Sequence, residues 1–173
     1  MSTPTPPSLV SPAAIDSLMY YASRAPEGAI VEIGVYKGGT AWWLEKLGRP
    51  LFLYDSFCGM PVSSGRDTHQ IGVFSDCSEE AVQQAIPRAT LVKGMFPESL
   101  IDMPPVGFVH ADADQYESTK AILDLMPDRM VRGGFILFDD YMVSDCQGCT
   151  DALHESKYRI LVVAETGKAL VIV

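Results

Sequence analysis

Two apolar runs end in acid, and together they constrain the fold more than anything else in the chain. Pro105 to Thr119 reads PVGFVHADADQYEST: Val106 to Val109 are apolar, and the residues after them turn abruptly polar. Gly134 to Tyr141 reads GFILFDDY and closes on Asp139 and Asp140. Short runs that are apolar throughout suit strands buried on both faces, as in a parallel sheet covered by helices. The loop after such a strand lies at the carboxyl edge of the sheet, where open α/β folds bind their ligands. Asp112 and Asp114 face the same way if strand-like backbone persists that far. Asp139 and Asp140 alternate faces in a regular strand, so they converge on one ligand only where the strand gives out.

Carboxylates crowded at one edge repel, and within these two stretches the only basic side chain is His110. A divalent cation relieves that repulsion, and an all-oxygen donor set suits Mg²⁺ or Mn²⁺. Either pair alone could be a loop cap, a common use of Asp. Acid at two corresponding strand ends points to a functional site.

The remaining elements complete a doubly wound pattern. Residues 1–10 are rich in proline and small polar residues, the composition of a flexible tail ahead of one domain spanning 11–173. Ser11 and Pro12 open a helix with Ile15, Leu18, Met19 and Ala22 at helical spacing. Strands are expected at 29–33, 50–55, 90–92, 106–109 and 135–138, with helices at 41–47, 78–87 and 116–126. Residues 141–150 read as a polar loop, with a short helix at most over 151–156. Residues 158–164 and 169–173 read as a hairpin, which puts an antiparallel strand on an otherwise parallel sheet. The expected fold is α/β: a single-domain, doubly wound, Rossmann-like sheet, mostly parallel, with an antiparallel C-terminal strand.

The first strand runs into Glu32-Ile-Gly-Val-Tyr-Lys-Gly-Gly-Thr40. This is not GxGxxG, because Tyr36 stands where the second glycine would admit a pyrophosphate, and no GxxxxGK[ST] loop occurs. The glycines could simply make a tight turn. Read functionally, Gly34 leaves room for a ligand, the helix start at Gly39 and Thr40 offers N–H groups to a carboxylate, and Glu32 accepts from an ammonium group. Asp55, at the end of the second strand, is placed for ribose hydroxyls or for a strand-end cap. Met95 and Phe96 suit an adenine wall or core packing equally. Residues 56–76 form a long loop of the kind that serves as a lid, and His69 within it is ordinarily just solvated.

Composition narrows the partners. Twenty-two acids against 13 Lys and Arg give a net charge of −9, which disfavours a nucleic-acid backbone or an anionic membrane surface. No apolar run approaches the roughly 20 residues of a membrane span, and the N-terminal residues lack the pattern of a signal peptide. Four cysteines, with one lone CxxC at Cys146 and Cys149, fit a reducing cytoplasm better than a disulfide scaffold, a zinc finger or a redox pair.

With these residues in view, the chain resembles the class I S-adenosylmethionine-dependent methyltransferases. More narrowly it is similar to the macrocin O-methyltransferase family, metal-dependent enzymes that methylate sugar hydroxyls. The matching pieces are 32–40, Tyr54-Asp-Ser-Phe57, 91–100, 111–119, 133–141 and Gly148-Cys149. The resemblance implies Asp112, Asp139 and Asp140 as ligands of Mg²⁺ and Asp114 as the general base. It implies S-adenosylmethionine lying along Glu32, Gly34, Tyr36, Gly38, Gly39, Thr40, Asp55, Ser56, Met95 and Asp112. Related catechol-type enzymes carry a lysine base one residue after Asp114, where this chain has Gln115, which favours the aspartate. The implied acceptor is a small-molecule hydroxyl, of a sugar or polyol, and a homo-oligomer is possible. A metal-dependent hydrolase explains the aspartates but not the Glu32 turn or Asp55. A non-enzymatic nucleoside-binding α/β protein is the other alternative.

Overall fold

Ser11 and Pro12 start α1 (Pro12–Arg24) as their chemistry dictates: the Ser11 hydroxyl accepts from the Ala14 N–H, and proline fills the first helical position. The helix stops when Ala25 turns extended before Pro26. The structure, a computed structural model, describes residues 5–61 and 65–173. Part of the tail (residues 1–4) and part of the expected lid (residues 62–64) lie outside the described residues.

The sheet is built from β1 (Ala29–Ile33), β2 (Leu51–Asp55), β3 (Thr90–Lys93), β4 (Val106–Ala111), β5 (Met130–Phe138), β6 (Ile160–Val163) and β7 (Lys168–Ile172). Their order is β3-β2-β1-β4-β5-β7-β6. The first five are parallel, and β7 runs antiparallel to both β5 and β6. This is the expected α/β fold.

Alternation along the central strands divides the core in two. Val31, Val109 and Ile136 meet Ile122, Leu123 and Leu153 on one face, carried by α4 (Tyr116–Leu125) and α5 (Gln147–Glu155). Ile30, Phe108 and Leu137 meet α1, α2 (Gly39–Glu45) and α3 (Glu79–Ala85) on the other, through Leu18, Leu44 and Val82. Both faces of β1 and β4 are buried throughout, which is why their sequences do not alternate and are apolar but for Glu32 and His110.

Two elements differ from the sequence reading: β5 begins at Met130 and not near Phe135, and the last helix starts earlier than expected. The stretch expected as a polar loop with a short helix from residue 151 winds into α5 from Gln147, preceded by a 3₁₀ turn at Ser144–Cys146. A distant carboxylate starts it: Asp67 Oδ1 accepts from the Gly148 N–H at 2.7 Å. The CxxC therefore does open a helix, with Cys146 as its cap residue.

Candidate active site

Where β4 gives out, the chain does not stay extended. Asp112 still pairs with β1 through its N–H and the Ile33 carbonyl, but Asp114 has a φ of 56°, in the left-handed region. Asp139 continues β5 by donating to the Ala111 carbonyl, and Asp140 follows. Carboxylate oxygens of Asp112, Asp114 and Asp140 come within 4.8 Å of one another, and the Asp114 N–H donates to Asp140 Oδ2 at 3.1 Å. Burial pushes the Asp112 carboxyl up to about 6, against the pull of His110, with Asp114 adding repulsion. Burial and then the charges of Asp114 and Asp112 raise Asp140 well above the usual range, and burial raises Asp114 as well. Three oxygen donors that resist ionisation together form a donor set suited to a hard divalent cation.

Asp139 sits differently. A polar row runs behind the acid cluster: His110 Nδ1 lies 2.8 Å from Glu32 Oε1, His110 Nε2 lies 3.4 Å from Asp139 Oδ1, and Lys168 Nζ touches the same Oδ1. The register explains the row, since Glu32 pairs with His110 across β1 and β4. Lys168 is the base absent from the two acid-ended stretches. It reaches them because antiparallel β7 begins at the carboxyl edge of the parallel strands. Burial lowers Lys168 to about 8, against the pull of Asp112, so it remains an ammonium ion at neutral pH. Both contacts to Asp139 use Oδ1, and Asp112 and Asp139 form a second potential ligand group with His110.

The expected cofactor residues divide between two clefts. The first, of about 230 Å³, is lined by Gly34, Tyr36, Gly39, Thr40 and the four acids Asp112, Asp114, Asp139 and Asp140. Pro7 to Val10 line its mouth, so close that a Cβ at Gly39 would collide with the Ser8 Cβ. The second, of about 100 Å³, is lined by Tyr54, Asp55, Ser56, Met95 and Phe96. Tyr36, Phe74, Asp112 and Asp114 line both, and the Tyr36 and Phe74 rings meet edge to face at 5.4 Å.

Several of these residues do more than line a cleft. The space a Cβ would need at Gly34 is filled by the Asp112 carbonyl oxygen, so this glycine first serves the approach of β1 to the end of β4. Asp55 is tied to backbone: Oδ2 accepts from the Val35 and Tyr36 N–H groups at 2.8 Å and Oδ1 from the Phe57 N–H at 2.7 Å. Those bonds hold the turn and occupy both lone pairs of Oδ2, while Oδ1 keeps one for a hydroxyl. Glu32 lines neither cleft. It is fully buried, and its Oε2 has no hydrogen-bond partner among the described residues. Gly38 caps α2 with φ 83°. Met95 is 40% exposed, as a residue awaiting a flat ring could be, whereas Phe96 is buried against Tyr54.

The long loop is pinned from below. Asp67, 7% exposed, accepts from the N–H groups of Tyr116 (2.9 Å) and Gly148, so one carboxylate caps both α4 and α5. Neither helix has a side-chain cap of its own. The pinning carries His69 to the acid cluster, 3.7 Å from Asp114 Oδ1. Sequence reasoning missed Asp67, Lys168 and Cys146. The unusually bare N-termini of the two helices were the only signal for the first.

A five-stranded parallel sheet extended by an antiparallel hairpin, with acid at its carboxyl edge, is a Rossmann-like α/β architecture with its candidate site where such folds bind ligands. Residues 17–163 match the model of the macrocin O-methyltransferase (TylF) family, and the chain belongs to that family. It is 27% identical over 175 residues to the 8-demethyl-8-(2,3-dimethoxy-alpha-L-rhamnosyl)-tetracenomycin-C 4'-O-methyltransferase of Streptomyces olivaceus, covering 84% of this chain and 65% of that one. It is 27% identical over 163 residues to the demethyldecarbamoylnovobiocin O-methyltransferase of Streptomyces niveus, covering 80% and 61%. The chain thus spans less than two thirds of either relative. The structure of the O-methyltransferase NovP superposes with a TM-score of 0.77 at 20% identity, over 95% of this chain and 81% of that one, a likeness of fold. No helix among the described residues is long and apolar enough to cross a membrane.

Proposed function

We propose that this protein transfers a methyl group from S-adenosylmethionine to a hydroxyl of a sugar or similar small molecule, with Mg²⁺ at the acid cluster. The observation that carries the proposal is the convergence of Asp112, Asp114 and Asp140 beside the Gly34–Thr40 turn, in a chain of this family. The methyltransferases of Streptomyces olivaceus and Streptomyces niveus support an acceptor of the sugar-bearing kind.

In this proposal Asp112, Asp139 and Asp140 hold the metal, Asp139 through its Oδ2. When bound, the cation withdraws charge from the acceptor hydroxyl and S-adenosylmethionine supplies an electrophilic methyl group. Asp114 would take the proton of the acceptor hydroxyl as that oxygen is methylated. The Asp114 N–H bond to Asp140 holds the base beside the metal ligands. The methionine end of the cofactor lies along Gly34, Gly38, Gly39 and Thr40, and the nucleoside end along Asp55, Ser56 and Met95. Tyr36 and Phe74 wall the join, and Glu32 supports the row from behind. The partner is a small molecule and not nucleic acid or membrane, and the setting is cytoplasmic, with a homo-oligomer compatible with it. A hydrolase would need neither the turn nor the family match.

The test is calorimetric titration with S-adenosylmethionine after EDTA treatment, then Mg²⁺ titration of the cofactor-bound protein. Cofactor binding followed by a distinct metal isotherm is expected. No cofactor binding under either condition overturns the proposal.

A further inference from the structure

A second group of possible metal ligands adjoins the acid cluster and differs from it in chemistry. His69 Nε2 lies 3.4 Å from Cys146 Sγ, Cys146 Sγ lies 3.6 Å from Asp114 Oδ1, and His69 Nε2 lies 3.7 Å from that same oxygen. The three atoms form a nearly equilateral triangle. A tetrahedral zinc site, with bonds of about 2.0–2.1 Å to nitrogen, about 2.3 Å to sulfur and about 2.0–2.2 Å to oxygen, requires ligand-to-ligand edges of roughly 3.4–3.6 Å. The two edges to sulfur fall in this range, and the His69–Asp114 edge of 3.7 Å needs only a few tenths of an ångström of closure.

The donors also have the right softness. Thiolate and imidazole select zinc-like ions, whereas the neighbouring all-oxygen trio suits Mg²⁺. The framework is fixed in advance. Cys146 is 1% exposed at the start of α5. The His69 loop is held by Asp67 on two helices and by the Thr68 N–H on the Asp145 carbonyl at 3.0 Å. The His69 ring packs edge to face on Phe74 at 5.6 Å. The His69 and Asp114 side chains are 19% and 20% exposed, so the fourth corner is open to water or a ligand.

We infer that His69, Cys146 and Asp114 form a separate site for a soft divalent cation such as Zn²⁺, sharing Asp114 with the acid cluster. Binding displaces the thiol proton to solvent as the sulfur–metal bond forms, with no change of oxidation state. If Asp114 is the base, which rests on the function proposed above, a soft cation here removes the base while Mg²⁺ held by Asp112, Asp139 and Asp140 does not. The same edge then responds oppositely to two ions.

The test uses the full chain with Cys58→Ser and Cys77→Ser, reduced and freed of metal, titrated with Co²⁺ alone while the thiolate-to-cobalt charge-transfer absorption is followed. One equivalent of Co²⁺ is expected to generate the band. Cys149→Ser keeps it, Cys146→Ser abolishes it, and His69→Ala weakens Co²⁺ binding by at least about tenfold. Absence of a band, or a band that survives Cys146→Ser, overturns the site. His69→Ala lies on the loop and keeps the test decisive should Cys146→Ser fail to fold: undiminished affinity in it also overturns the site. Co²⁺ binding does not depend on S-adenosylmethionine, so this result stands or falls apart from the proposed methyl transfer. In a turnover assay, Zn²⁺ inhibition that persists unchanged in Cys146→Ser counts against the assignment.

Discussion

The ammonium group of Lys168 touches Oδ1 of Asp139, although the two residues lie on strands running in opposite directions. The lysine is 3% exposed, so it neutralises part of the acid edge from behind. Lys168→Met should leave that carboxylate buried without its partner and destabilise the metal-free protein by about 3–5 kcal/mol. Added Mg²⁺ should recover more stability in this variant than in the parent. Thermal melts with EDTA and with Mg²⁺ measure both, and equal Mg²⁺ shifts in the two proteins would show that Asp139 does not face the metal.

Asp114→Asn separates base from ligand. S-adenosylmethionine and Mg²⁺ should still bind, while kcat falls by about 10²- to 10⁴-fold. If calorimetry instead finds the Mg²⁺ site lost, Asp114 is a ligand and the proton goes elsewhere.

The metal-free protein should lose stability as pH rises from about 4 to 6. Asp112 has its folded value raised to about 6 from an ordinary 3.8, so within that window the folded chain holds a proton that the unfolded chain has released. The favourable contribution is fully present below the window and gone above it. Asp140 and Asp114 shift in the same direction. Mg²⁺ should bind more tightly over the same rise, because its ligands must be ionised. Melting curves in EDTA for the parent and Asp112→Asn provide the check: the asparagine variant should show a shallower decline, and identical slopes would remove Asp112 as the source.

Asp67→Ala should cost about 2–4 kcal/mol, since it leaves two helix-start N–H groups without their charged acceptor. Gly148→Ala tests the same contact from the other side, because its Cβ would lie 2.6 Å from both Asp67 oxygens. Both variants should lose hydrogen-exchange protection in the 65–72 loop together with the start of α5. Loss confined to α5 would mean that the loop is held by something else.

Much of this was legible in the sequence, for identifiable reasons. Local signals carried the strands and most helices: apolar runs for β1, β4 and β5, Ser11-Pro12 for α1, Ser78 for α3. The acid cluster was legible because strand ends announce themselves by an abrupt change of polarity. The start of α5 was not, since its cap lies on Asp67, 81 residues away in sequence. Lys168 was hidden for a related reason. As the first residue of a hairpin strand it reads as a turn lysine, and only the antiparallel register delivers it to the acids. The left-handed backbone at Asp114 also replaced the extended geometry expected there, so the carboxylates converge by a turn and not by a shared strand face.

The antiparallel placement of β7 has a consequence for biosynthesis. A chain is made from its N-terminus, so all five parallel strands leave the ribosome before Lys168 does. Until β7 inserts beside β5, Asp139 lacks its ammonium partner and the sheet edge that β7 will cover stands open. A nascent chain halted before residue 168 therefore combines an uncompensated carboxylate with an unpaired strand, both of which favour misassociation. Closure of the acid edge in this topology therefore waits on residue 168 and the strand it begins.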